Sequence, residues 1–282
     1  MIRSEALMGT VVTIHVDAPR DAVDRAFEWF WQVEACCSRF DPGSELRQLE
    51  AGTPHAASPM LFEALRFALQ VAEETDGAFD PTVGGRMAAR GYDRHFRTGT
   101  SGDTPRTDDG ATYRDVELDE RRRTILLKRP LTLDLGAVAK GLAVDAAARE
   151  LAPFRDFSID AGGDLYFGGH NGDGEAWRAG IRHPRDREAL IDRIRVSDQA
   201  VCTSGAYARG EHLLDPRAGE PARSVASATV VAPGAMLADA LATAAFVLGP
   251  VEGLALLERI GVEGLIVTSD LACHRTKGFG HA

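Results

Sequence analysis

A chain of 282 residues with 44% hydrophobic and 26% charged residues carries enough apolar matter for a packed core, and its composition excludes the disordered and fibrous classes. The formal net charge of −10, with no local cluster of Lys and Arg, excludes a chain that tracks a nucleic-acid backbone. Any phosphate it binds must be met by backbone amides, a helix N-terminus or a metal ion.

The elements follow in chain order. Val11 to Val16 read as an opening strand, and Val23, Ala26, Phe27, Phe30 and Trp31 recur at helical spacing between Asp21 and Ser38. Cys36, Cys37, Cys202 and Cys273 follow neither a disulfide framework nor metal-ligand spacing, which fits a reducing compartment. Ser58 before Pro59 is a helix N-cap with proline in the first turn, and the helix runs to Asp76-Gly77. Arg97 to Thr112, polar and rich in glycine, reads as an exposed loop. A hairpin is expected next, Val116 to Leu118 and Ile125 to Leu127 around a charged turn. Leu131 to Leu135 reads as a buried strand feeding a helix over Ala137 to Leu151, and Phe157 to Ile159 as a strand closed by a Gly-Gly-Asp turn. Short strands are expected at Trp177 to Ile181, Ile194 to Val196, Val225 to Val231 and Leu265 to Thr268. Helices are expected at Leu237 to Leu248 and Val251 to Ile260. Strands cluster without a β-α-β rhythm, so the expectation is an α+β fold in a single domain over 1–282. No signal-peptide pattern and no apolar run near the length of a membrane span are visible, and the expected location is cytoplasmic.

Four segments carry chemistry. In the run from Asp134 to Gly141 an acid and a glycine precede a helix, which gathers free amides and a carboxylate at one spot; the plainer reading is a helix cap with Lys140 in solvent. Asp239 and Thr243, four apart, share one face of an apolar helix, and two hard oxygens there suit Mg²⁺; the plainer reading has Thr243 bonding back to the preceding turn. His212 precedes an Asp-Pro-x-x-Gly turn and is a residue type able to take a hydroxyl proton, or equally a structural histidine. Gly77 to Gly85 surround Phe79 and Asp80 with small residues that admit a flat ligand or simply end a helix. No G-x-G-x-x-G follows a strand, so a generic dinucleotide fold is the wrong frame.

Taken together and in order, MGT at 8–10, SEL at 44–46, GAFDPTVGG, LDLGAVAKGLAVD, AGGDLYFGG, TSGAY, HLLDPRAGEP and ADALATAAFVLG resemble the ApbE family, the FAD:protein FMN transferases, over nearly the whole chain. The resemblance implies a T-fold-like α+β domain with mixed or antiparallel sheets. It implies an FAD site lined by Met8, Phe40, Ala78, Phe79, Asp80, Asp134, Lys140 and Leu213. Mg²⁺, with Mn²⁺ as the alternative, would be held by Asp239, Thr243 and the carbonyls of Ala137 and Ala242, and His212 would be the catalytic base. The implied reaction moves FMN from FAD to a Thr or Ser hydroxyl of an acceptor protein and releases AMP. An FAD pyrophosphatase, a flavin-binding protein without turnover and self-modification at Ser227-Ala228-Thr229 are the rivals. The sequence departs from the family pattern at Arg86 to Tyr92, at Ala218, at Asp160 and in the short spacing between Tyr207 and His212.

Overall fold

The computed structural model describes residues 1–93, 110–205 and 213–280, the side chain of residue 187 excepted. An N-terminal hairpin, β1 (Ile2–Leu7) and β2 (Thr10–Val16), turns on Met8 and Gly9, both at positive φ (48° and 79°). Such a two-residue turn matches the right-handed twist of the strands, yet the left-handed conformation is uncommon for methionine. β1 was not expected from the sequence. Its Arg3, Ser4 and Glu5 are poor strand formers, and pairing with β2 (Ser4 opposite Thr13, Glu5 opposite Val12) is what extends it.

After α1 (Arg20–Cys37) the chain reaches β3 (His55–Ala56), α2 (Pro59–Glu74) and α3 (Gly84–Ala89). The Ser58 hydroxyl caps α2 by accepting from the Leu61 amide at 3.2 Å. β4 (Val116–Asp119) and β5 (Thr124–Leu127) form the expected hairpin. Residues 97–109 of the expected exposed loop lie outside the described residues. At its end Ala111 is buried, because its carbonyl accepts from Thr82 and Arg86.

The expected strand at Leu131 to Leu135 is not one. Thr132 makes a single parallel bridge to Val83, and the Asp134 amide donates to the Pro81 carbonyl at 2.7 Å, so the segment lies along the Gly77–Gly85 loop instead of in a sheet. There follow α4 (Gly136–Leu151), β6 (Phe157–Ala161), β7 (Asp164–Gly168), β8 (Trp177–His183), β9 (Asp186–Val196) and β10 (Gln199–Gly205). The short pair β11 (Leu214–Asp215) and β12 (Glu220–Pro221), then β13 (Val225–Ala232), α5 (Ala235–Ile260), β14 (Glu263–Thr268) and β15 (Cys273–Arg275) complete the order.

Eight strands form one sheet, β1-β2-β6-β7-β10-β13-β14-β15, with every pairing antiparallel. The period-two alternation of strands divides its side chains between two cores. In β10, Ala200 and Cys202 face the helices, while Val201 faces the other way. The helical core packs Phe27 and Phe30 of α1, Leu151 of α4, and Leu241 and Phe246 of α5 against Ile14, Ile159 and Ile266. On the opposite face the β8–β9 hairpin lays Ala179, Ile181, Ile194 and Val196 over Phe167, Val201, Val231 and Leu265.

α5 holds both expected helices, which abut at Gly249 (φ 81°, ψ −178°) before Pro250. By length and composition it could cross a membrane, contrary to the sequence expectation. It lies within the helical core instead, with Ala238, Leu241, Ala244, Ala245 and Phe246 fully buried. The four cysteines are unpaired.

Candidate active site

The site begins with how α4 meets α5. A Cβ on Gly141 would fall 2.5 Å from the Ala235 carbonyl and the Met236 Cα, so only glycine lets the helices approach this closely. From the next turn of α4, Asp145 accepts hydrogen bonds from the amides of Ala235 (2.6 Å) and Met236 (3.0 Å), and so caps α5 from a distant part of the chain. Burial pushes the Asp145 carboxyl above its ordinary value, and the two backbone hydrogen bonds pull it back.

This docking places Asp239, in the second turn of α5, against Lys140 of α4. The Lys140 ammonium lies 3.3 Å from Asp239 Oδ2 and pairs with Asp164 Oδ2 at the start of β7. Asp164 is delivered there by Gly162 and Gly163, both at positive φ. Lys140 is therefore not a solvated side chain. One turn beyond Asp239, the Thr243 hydroxyl meets the Ser204 hydroxyl of β10 at 3.0 Å.

A cavity of about 860 Å³ opens on this cluster. Its wall gathers Met8, Phe40, Ala78, Phe79, Asp80, Asp134, Ala137, Lys140, Leu213, Asp239 and Thr243, all singled out in the sequence. Ala242 is fully buried and does not reach the wall, because it sits on the core side of α5. His212 lies outside the described residues; Leu213 beside it lines the cavity, and the Asp-Pro-x-x-Gly turn joins β11 to β12.

At the other end of the cavity, loops are stitched by buried charges. Asp80 accepts from the Thr82 amide (2.8 Å), the Thr82 hydroxyl (2.7 Å) and the Tyr113 amide (3.0 Å). Burial raises its carboxyl, and these bonds oppose the shift. Arg39, only 4% exposed, pairs through Nε with Asp134 Oδ2 at 2.7 Å, donates to the Tyr92 carbonyl and lies 4.0 Å over the Phe40 ring. It thus binds together the segments after α1, after α3 and before α4. Asp134 also accepts from the Gly136 amide at 2.8 Å, so the capping reading and the wall position hold together.

Sequence reasoning missed Arg39, gave no role to Gly141, Asp145 and Ser204 although they lie in motifs it quoted, and named Asp164 only as part of a turn. The Gly-Gly-Asp turn was the one local signal, whereas the other roles depend on partners far along the chain. A second, open groove of about 580 Å³ beside α2, lined by Arg66, Glu73, Asp76 and Arg114, contains none of the singled-out residues.

Asp239 and Thr243 on the wall offer a carboxylate and a hydroxyl, donors that suit a hard divalent cation, and Ala137 also lines the wall. Among the described residues no group of three or more His, Cys, Asp or Glu could hold a metal, so a softer transition-metal centre finds no ligands there. The described wall carries six carboxylates (Glu34, Asp80, Asp134, Asp160, Asp164, Asp239) against three cations (Arg39, Lys140, Arg182). A bound cation would offset this excess of negative charge toward a polyphosphate.

Comparisons with known proteins bear on the family and the fold. A profile of the ApbE family matches residues 8–266. An FAD:protein FMN transferase from Treponema pallidum is 31% identical over 331 aligned positions that cover 98% of this chain and 86% of that protein. The crystal structure of the ApbE protein from Thermotoga maritima superposes with a TM-score of 0.88 at 29% identity, covering 99% of this chain and 97% of the other. The flavin transferase ApbE from Vibrio cholerae gives 0.86 at 26% identity, with the same coverage.

Proposed function

The chain belongs to the ApbE family and is an FAD:protein FMN transferase, and we propose that it moves FMN from FAD to a Thr or Ser hydroxyl of an acceptor protein, with a divalent cation, and releases AMP. The observation that carries this reading is the meeting of Lys140, Asp164 and Asp239 on the wall of a cavity whose other end is aromatic and loop-built. Asp239, Thr243 and the Ala137 carbonyl would hold Mg²⁺ or Mn²⁺. When bound, the ion supplies neutralisation of the pyrophosphate charge.

The chain's own groups do the rest. Lys140, on the wall, is long enough to share the charge of the bridging phosphates. Phe40 and Phe79 offer apolar faces to the ring systems of the dinucleotide. His212, next to the wall residue Leu213, is proposed to take the proton from the acceptor hydroxyl as that oxygen attacks the FMN-side phosphorus. The bond from that phosphorus to the AMP oxygen breaks, and AMP leaves with the electron pair.

The test incubates enzyme, FAD and Mg²⁺ with an acceptor-motif peptide and follows the peptide by mass spectrometry. The expected result is a peptide that gains one FMN, with AMP in equal amount. Free FMN plus AMP with an unmodified peptide would convert the reading to a pyrophosphatase. His212→Ala should retain FAD binding and lose about a hundredfold or more of the transfer rate.

A further inference from the structure

We infer that Lys140 holds the divalent cation's place in the substrate-free site, with Asp164 as its fixed anchor, and surrenders Asp239 when the metal ion enters. The inference rests on the metal-dependent flavin transfer proposed above.

The Lys140 ammonium sits between two buried carboxylates: Asp164, whose side chain is 3% exposed, and Asp239, 7% exposed. The ammonium is thus the counter-charge that both buried carboxylates share. Among the described residues Lys140 is the cation within ion-pair distance of either. Asp239 is also the one carboxylate in the proposed metal donor set. Mg²⁺ takes its oxygens at about 2.0–2.1 Å, so an ion on either oxygen of Asp239 brings a double positive charge close to the ammonium on Oδ2 and repels it. Something must yield, and lysine has the means: four methylenes and a compact head that re-aims easily. Asp164 lies outside the proposed donor set, so it keeps the ammonium at hand while Asp239 changes partner.

This arrangement has a consequence for substrate order. Bridging phosphates offer Lys140 a new partner, so nucleotide weakens its hold on Asp239 and favours the metal. By linkage, metal favours nucleotide to the same degree.

The experiment titrates Mn²⁺, followed by its paramagnetic resonance, into wild-type protein and into the double variant Lys140→Met/Asp164→Asn, each without nucleotide and with saturating FAD. The double variant removes one positive and one negative charge, so the cluster's net charge is unchanged and, in the nucleotide-free arm, Asp239 has lost its ammonium partner. Without nucleotide it should bind Mn²⁺ about tenfold or more tightly than wild type, the equivalent of one charge-assisted hydrogen bond that no longer has to be broken. The enhancement by FAD seen in wild type should shrink by a similar factor. Lys140→Gln/Asp164→Asn, which removes the same two charges and lets the two amides hydrogen-bond, gives the same comparison if the first double variant does not fold. Nucleotide-free Mn²⁺ affinity at or below the wild-type level in the folded variant overturns the inference. Wild-type protein that takes up no Mn²⁺ even with FAD overturns the metal-dependent reading itself, and the inference with it.

Discussion

The two ends of the cavity are built by different means. The inner end rests on helices: α4 and α5 are pressed together at Gly141, capped across the chain by Asp145, and joined by Lys140 and its two carboxylates. The outer end is loops, held in register by one buried arginine and one buried aspartate. Close-packed helices leave a side chain little room to move, whereas loops hold their shape only as firmly as the bonds that tie them. The difference matches the division of labour proposed here. Phosphate chemistry needs fixed charges, and a long two-ringed substrate needs an entrance that loops can shape.

This contrast can be broken at either end. The largest effect is expected from Asp239→Ala, which should lower the flavin transfer rate about a thousandfold, the equivalent of several kcal/mol of lost charge stabilisation. Its melting temperature by circular dichroism should move little, because Asp164 still holds Lys140. A fully active variant would remove the inner end from the reaction. Gly141→Val should cost about 2–3 kcal/mol in urea denaturation, since its side chain would be driven into Ala235 and Met236.

At the outer end, Arg39→Met should raise the KM for FAD about tenfold while kcat stays within about twofold, because Phe40 and Asp134 lose their tie but the metal donors are untouched. A fall in kcat at unchanged KM would mean that the two ends are not separable in the way described. The smallest effect is on pH dependence. Burial holds Asp80 and Asp145 above the ordinary aspartate value, so each contributes stability that is whole below that value and is lost as pH rises through the raised one. The stability of the wild type relative to Asp80→Asn or Asp145→Asn should therefore be greater at pH 4 than at pH 7, measured by urea denaturation at both. An advantage that grows with pH would contradict the burial argument.

The two ends also differed in what could be read beforehand. Asp239 and Thr243 could be placed on a common face because a spacing of four on an apolar helix fixes it whatever surrounds them, while their assignment to a metal came from the family resemblance. Ser58-Pro59 announced α2 for the same local reason. The rest depended on meetings between distant segments. β1 is a strand only because β2 lies beside it, and Leu131 to Leu135, apolar enough for a sheet, found the Gly77–Gly85 loop as its neighbour. Nothing local to Arg39 announces its burial, which comes with its pairing to Asp134, 95 positions later. Lys140 reads as solvated until Asp164 and Asp239 arrive from β7 and α5. Local chemistry named the atoms; topology decided which of them work together.

The central claim is that a divalent cation sits where α4 meets α5, against the bridging phosphates of FAD. Crystals grown with FAD and Mn²⁺, with diffraction collected to reveal the anomalous signal of manganese, test it directly. The account predicts a peak bonded to the side chains of Asp239 and Thr243 and to an FAD phosphate oxygen. Well-ordered FAD in the cavity with its phosphates remote from Asp239, or a manganese peak elsewhere on the chain, would contradict it.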